Sequence, residues 1–304
     1  MKQLISLLAL LFLPTLVATG EPLAGLTVTN ELVKFDSANP GAVTTVAITG
    51  LTAGDRLVGI DVRPFNSILY GVAIDAGAGG ANAGVGRIYT IDSATGVAIL
   101  TSTLSADPAD TTAPNPFTSV NGSFFGVDFN PVVDRLRVVS DTGQNLRINV
   151  TNGLTQFDVA AAYAGSDANT GSPPMVVASA YNNNMAGGGT TTLFALDAAL
   201  STLDTQTPAN DGTLNTVAIT SAIVFGDAGF DISGATGTAF VVLDGITLGT
   251  LDLSTGAVTE VGLIGTIGAI SGLAALAIPE PGGVLMGLIG MGVLAVRRRQ
   301  RPNS

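Results

Sequence analysis

Residues 124–160 read FFGVDFNPVVDRLRVVSDTGQNLRINVTNGLTQFDVA. Short apolar runs alternate here with turn residues, the pattern of consecutive antiparallel strands. The first half, strand then aspartate then turn, recurs as LVGIDVRP at 57–64, FFGVDFNP at 124–131 and DAGFDISG at 227–234. Each copy is followed by a second apolar run: ILYGVA, RLRVVS or TAFVVL. The second half, strand–turn–strand, recurs as ELVKFDSANPGAVTTVAI, RIYTIDSATGVAILTSTL, NLRINVTNGLTQFDVA, TLFALDAALSTLDTQT and GTLDLSTGAVTEVGLI. Three of these turn at Thr95-Gly96, Asn152-Gly153 and Thr255-Gly256. Glycine accepts the positive φ that a tight hairpin demands. Alternation within the strands is imperfect, as at Leu32-Val33-Lys34-Phe35, which fits strands buried on most sides.

Joined, the halves give four strands in about 45–60 residues, the period of a β-propeller blade. LAGLTVTNELVKFD enters a blade after its innermost strand, and ISGLAAL (Ile270–Leu276) is a first strand without its blade. Pairing these ends closes the ring and removes open edges. The expectation is an all-β propeller of five four-stranded blades, with six as the alternative, over residues 19–278. The fourth blade, VVASAYNNNMAGGGTTTLFALD, lacks a clear second strand. Polar insertions at Ser105–Ser123, Ala164–Pro174 and Asn182–Thr191 read as rim loops.

The body resembles the bacterial family known as domain of unknown function 4394. LVGIDVRPFNSILYGV, GRIYTIDSATG and FGVDFNPVVDRLRVVSDTGQNLRIN carry the likeness, which runs across most of residues 23–276. The family name implies an architecture and no activity.

The 304-residue chain has no histidine, cysteine or tryptophan. Imidazole- and thiol-based catalysis, disulfides and thiolate zinc sites are excluded. Without tryptophan, stacking platforms for sugars are few. Residues 1–18 have the form of a signal peptide: Lys2, the apolar run Leu4–Leu13, and Ala18 before the expected cut.

At the other end, Gly282–Val296 is uncharged and, as a helix, spans about 22 Å, short of a bilayer core. Pro279-Glu280-Pro281 precedes it, and Arg297, Arg298, Arg299 and Arg301 follow, which favours a cytoplasmic end. Residues 279–304 resemble the PEP-CTERM sorting signal of Gram-negative bacteria. The likeness implies transient anchoring in the inner membrane, removal by an exosortase, and a mature protein at the cell surface or in the exopolysaccharide matrix. A plain C-terminal anchor is the other reading.

Outside these two ends the body carries seven basic and 22 acidic residues, which argues against a nucleic-acid partner. Two constellations could carry chemistry. Asp61, Asp128 and Asp231 occupy one position of the repeat; on innermost strands they would converge on the channel and attract Ca²⁺. Each also precedes a turn (Arg63-Pro64, Asn130-Pro131, Ser233-Gly234), where it would act alone as an Asx cap, and capping is the preferred reading. Arg135, Arg137 and Arg147 hold three of the seven basic residues in one short stretch. They form either an anion clamp or Asp–Arg pairs within a blade, the latter preferred. The glycine-rich AGAGGANAGVG (76–86) lacks the Lys-Ser/Thr of a phosphate loop. No catalytic residue and no obligatory cofactor is assigned. The expected role is non-catalytic, binding exopolysaccharide or a surface protein or serving as envelope structure. The alternative is a metal-dependent lactonase or lyase acting on extracellular carbohydrate.

Overall fold

The computed structural model describes residues 20–76, 84–111, 116–187, 189–220, 228–265 and 268–276. The expected signal segment and the expected sorting tail, with Pro279, Glu280, Pro281, Arg297, Arg298 and Arg299, lie outside the described residues.

β1 (Pro22–Thr27), β2 (Glu31–Asp36) and β3 (Asn39–Ala47) are the outer strands of the first blade. β4 (Asp55–Arg63), β5 (Ile68–Asp75), β6 (Gly86–Ile91) and β7 (Ala98–Thr103) make the second. β8 (Ser105–Ala106) lies on the edge of the third, built from β9 (Phe125–Asn130), β10 (Arg135–Ser140), β11 (Asn145–Ile148) and β12 (Leu154–Phe157). β13 (Ala162–Tyr163) does the same for the fourth, built from β14 (Val176–Tyr181), β15 (Leu193–Asp197), β16 (Thr202–Gln206) and β17 (Thr213–Ile219). β18 (Gly229–Ile232), β19 (Ala239–Leu243), β20 (Thr247–Leu251) and β21 (Val258–Leu263) make the fifth. β22 (Ile270–Ala275) then returns to the first blade as its innermost strand. The result is an all-β, five-bladed propeller, and β4, β9, β14, β18 and β22 contact one another in sequence around the axis.

Closure follows the expected pairing. β22 runs antiparallel to β1, with Leu23 opposite Ala275 and Gly25 opposite Leu273. Glu21 adds a polar latch: its buried carboxylate accepts hydrogen bonds from Ser233 and Thr236 in the turn after β18. The first blade is thereby tied to the fifth as well as to its own last strand.

The core is a ring of five apolar layers, one at each blade interface. Val58, Val72 and Ile88 meet Phe125, Val127 and Leu136 between the second and third blades. Val139 meets Val176 and Leu193 between the third and fourth, and Val177 and Leu196 meet Phe230 and Val241 between the fourth and fifth. Leu23 and Leu273 meet Phe240 and Val242 across the fifth interface, while Ala24 and Leu26 meet Leu57 and Ile60 across the first. Both faces of each sheet are therefore apolar, and this is why the sequence lacks clean alternation.

Near the axis the sheets converge, and the innermost strands of every blade but the fourth carry glycine at their inner level. A Cβ on Gly59 would overlap Val127 of the next blade, and one on Gly126 would overlap Ser179. The hairpin glycines behave as expected, with φ of +75° at Gly96, +77° at Gly153 and +69° at Gly256.

Two expectations are corrected. The fourth blade is complete: Leu193–Asp197 is its second strand and Thr213–Ile219 its fourth. The long connection at 182–192 hides the first hairpin, so LFALD looked like a third strand. The insertion Ser105–Ser123 is more than a rim loop. Ser105 and Ala106 pair in parallel with β12, and Phe117 and Val120 are buried in the layer between the second and third blades.

Candidate functional site: an acidic axis and an arginine pocket

The three repeat aspartates lie inside the innermost strands β4, β9 and β18, each about 1% exposed. They are not turn caps. Two of the turns that follow are capped by other side chains: Asn130 Oδ1 accepts the Val132 and Val133 N–H groups, and Ser233 Oγ accepts those of Ala235 and Thr236; the turn after Asp61 closes on the Arg63 carbonyl. Asp61 instead accepts its own neighbour's N–H, from Val62 at 2.6 Å, and the Phe129 N–H of the next blade at 2.7 Å. Asp231 repeats the geometry with Ile232 and, in the next blade, Ala275, both at 2.6 Å. Position explains this. Residues two apart on a strand share a face, so each aspartate follows its glycine (Gly59, Gly126, Gly229) towards the next blade. The fourth and first blades carry Ala180 and Ala274 at the matching level.

One carboxylate oxygen from each aspartate lies within 4.8 Å of the others. Burial, and then the Asp231 charge, pushes the Asp61 carboxyl well above its ordinary range; burial, and then the Asp61 and Asp231 charges, does the same for Asp128. Burial pushes Asp231 up to about 6. A cavity of about 310 Å³ opens at this end of the axis, lined by Val62, Asn184, Met185, Ser233 and Ala275 among others.

The three arginines also come together. Arg135, Arg137 and Arg147 line one pocket of about 130 Å³ with Asn130, Tyr181 and Asn210. Neighbouring strands β10 and β11 place Arg137 opposite Arg147. Two like charges face each other, and Asp158 answers both. It accepts from Arg137 Nη1 at 2.7 Å, and from Arg147 through Nε and Nη2 at 3.0 and 2.9 Å. This pairing raises the Arg147 pKa further. Arg137 is buried and fully engaged, donating also to Asn145 Oδ1 at 2.8 Å and Asn210 Oδ1 at 2.6 Å. Arg135 differs: its Nη1 donates to the Val133 and Asp134 carbonyls, and it has no carboxylate partner among the described ion pairs. Asp134 is taken by Arg63 of the second blade. The pocket thus holds three cations against one buried anion.

The sequence offered no sign of Tyr181 and Asn210 in this pocket; both come from the fourth blade. A second buried acidic group was also missed. Asp197 and Asp204 share the Tyr163 hydroxyl, at 2.7 and 3.2 Å, and burial pushes Asp204 up to about 6.

The profile of a family described as a domain of unknown function (DUF4394) matches residues 31–274. No curated protein matches the chain. Among solved structures, a structural genomics protein of unknown function from Bacteroides thetaiotaomicron shares 17% identity at a TM-score of 0.44. That match covers 83% of this chain and 60% of the other, so the chain spans 60% of that protein's length.

Proposed function

The chain belongs to the DUF4394 family, and from that premise we propose that it is an exported propeller of the cell surface or extracellular matrix that binds a carboxylate-bearing saccharide without converting it. The arginine pocket carries this reading. Three of the body's seven basic residues surround one pocket in an otherwise acidic body. Guanidinium forks match planar carboxylates in bidentate fashion. Arg135 supplies the uncommitted charge, Arg147 and Arg137 the wall behind it, and Asn130 and Asn210 polar groups for hydroxyls. A volume of about 130 Å³ takes the acid end of a sugar residue rather than a long chain. An exopolysaccharide would therefore be gripped at one uronic acid, and an acidic surface protein would present the same group.

The location rests on the two ends of the sequence. The tail is read as an exosortase substrate that transiently holds the inner membrane. Intact mass of the protein recovered from outside a host with exosortase should end near Pro281. A recovered chain still carrying Arg297–Arg301 refutes processing.

Binding is tested by calorimetry of the body with uronic-acid oligosaccharides and their neutral counterparts. We expect uronate-selective binding that falls at least tenfold in Arg135→Ala, with the melting temperature unchanged, since the residue is half-buried and makes only local bonds. Equal affinity for neutral sugars, or no loss in Arg135→Ala, overturns the reading. Recovery of the oligosaccharide intact distinguishes binding from the alternative activity of a metal-dependent lactonase or lyase.

A further inference from the structure

We propose that Asp61, Asp128 and Asp231 form a calcium site on the propeller axis, joining three of the five blades through one ion. The aspartates arrive on β4, β9 and β18, so no local turn explains their meeting. Their offered oxygens all lie within 4.8 Å of one another. A cation at the centre then lies no more than about 2.8 Å from all three, and a small inward shift of the carboxylates brings them into the 2.3–2.6 Å calcium–oxygen range. The chain contains no histidine or cysteine, so the donors are hard oxygens only, as calcium prefers.

The hydrogen bonding singles out a missing partner. Asp61 and Asp231 are each held by two backbone N–H groups, which fix the carboxylates and leave each oxygen a second lone pair. Asp128 stands between them, 1% exposed; neither oxygen makes a hydrogen bond of ordinary geometry, and its polar neighbours are the Tyr181 N–H and the Asp231 carboxylate. A buried carboxylate without a partner is costly. No arginine answers it, because the described ion pairs all involve other carboxylates. Two anchored ligands and one free ligand, sharing negative charge in a dry place, describe a cation site. One level along the axis the buried Ser179 Oγ also lacks a partner, so the polar column continues. A cavity of about 310 Å³ lies next along the strands, lined by Val62, Ser233 and Ala275, which neighbour Asp61 and Asp231 and the residue opposite them.

The ion is structural by its position: it sits within the strands and joins three blades, while Arg137, opposite Asp128 on β10, is turned to Asp158. The proposal is independent of the saccharide reading, because the two sites share no residue.

The test uses the purified body, stripped with chelator and then dialysed against calcium. Metal analysis should give one calcium per chain. At a hundredfold excess over its dissociation constant, calcium should raise the melting temperature by roughly 5–10 °C for a domain of this size. Asp128→Asn keeps the shape, removes one charge, and should abolish both binding and the rise. Asp231→Asn should do the same, which covers a variant that fails to fold. A wild-type body that holds no calcium and melts identically with calcium and chelator overturns the proposal. So does an unchanged response in both variants.

Discussion

A body lacking Ile270–Leu276 should not fold. These residues supply β22, the innermost strand of the first blade. Its loss strips β1 of a hydrogen-bonding partner from Leu23 to Thr27. It also removes Ile270 and Leu273 from the layer against the fifth blade, and Ala274 from the layer against the second. Burying a large apolar side chain contributes about 1.5–3 kcal/mol. Two such side chains, a strand's ladder and the opened interfaces together rival a typical total stability of about 5–15 kcal/mol. Far-ultraviolet circular dichroism and a thermal melt decide this: the deletion should show no cooperative transition. A truncated body that still melts within a few degrees of the parent would show that the ring does not depend on closure. Leu273→Ala gives the milder version, with an expected loss of about 2–5 kcal/mol.

Closure was legible in the sequence because it needs only strand order. An entry after one strand and a leftover strand at the end have one economical pairing, and the register of Leu23 with Ala275 realises it. The blades were legible where glycine, aspartate and turn residues recur together. The fourth blade was not, for two physical reasons. Its innermost strand carries Ala178 and Ala180 where the second, third and fifth blades carry glycine and aspartate. Its first hairpin also spans Asn182–Thr192, held by Asn182 Oδ1 accepting the Thr192 N–H at 2.7 Å rather than by a tight turn.

The site was half legible for a related reason. The arginines were visible as a cluster because they lie on adjacent strands of one blade. Their partners were hidden, since Asn210 is 73 positions from Arg137 and Tyr181 is 44. The aspartates were misread as caps because a turn does follow each of them. The N–H that Asp61 accepts belongs to Phe129, 68 positions away. Blade stacking brings those groups together, and no local spacing encodes it.

Arg137 and Arg135 line the same pocket but should behave oppositely. Arg137 is 2% exposed, and its fork serves Asp158, Asn145 and Asn210 at 2.6–2.8 Å. It joins the third blade to the turn after β16 in the fourth. In Arg137→Ala, Asp158 keeps only Arg147, while Asn145 and Asn210 each lose a charged donor. Removing one member of a buried ion pair costs about 3–5 kcal/mol, which for a body of this size lowers the melting temperature by roughly 6–20 °C. Arg137→Lys should recover little of that loss, because one ammonium cannot reproduce the planar fork. Arg135→Ala should melt with the parent and fail only in binding. Thermal melts of the three variants beside the parent are the measurement. If Arg137→Ala melts within about 2 °C of the parent, the guanidinium is not a structural member of the interface. The pocket's buried wall would then owe its arginine to ligand binding instead.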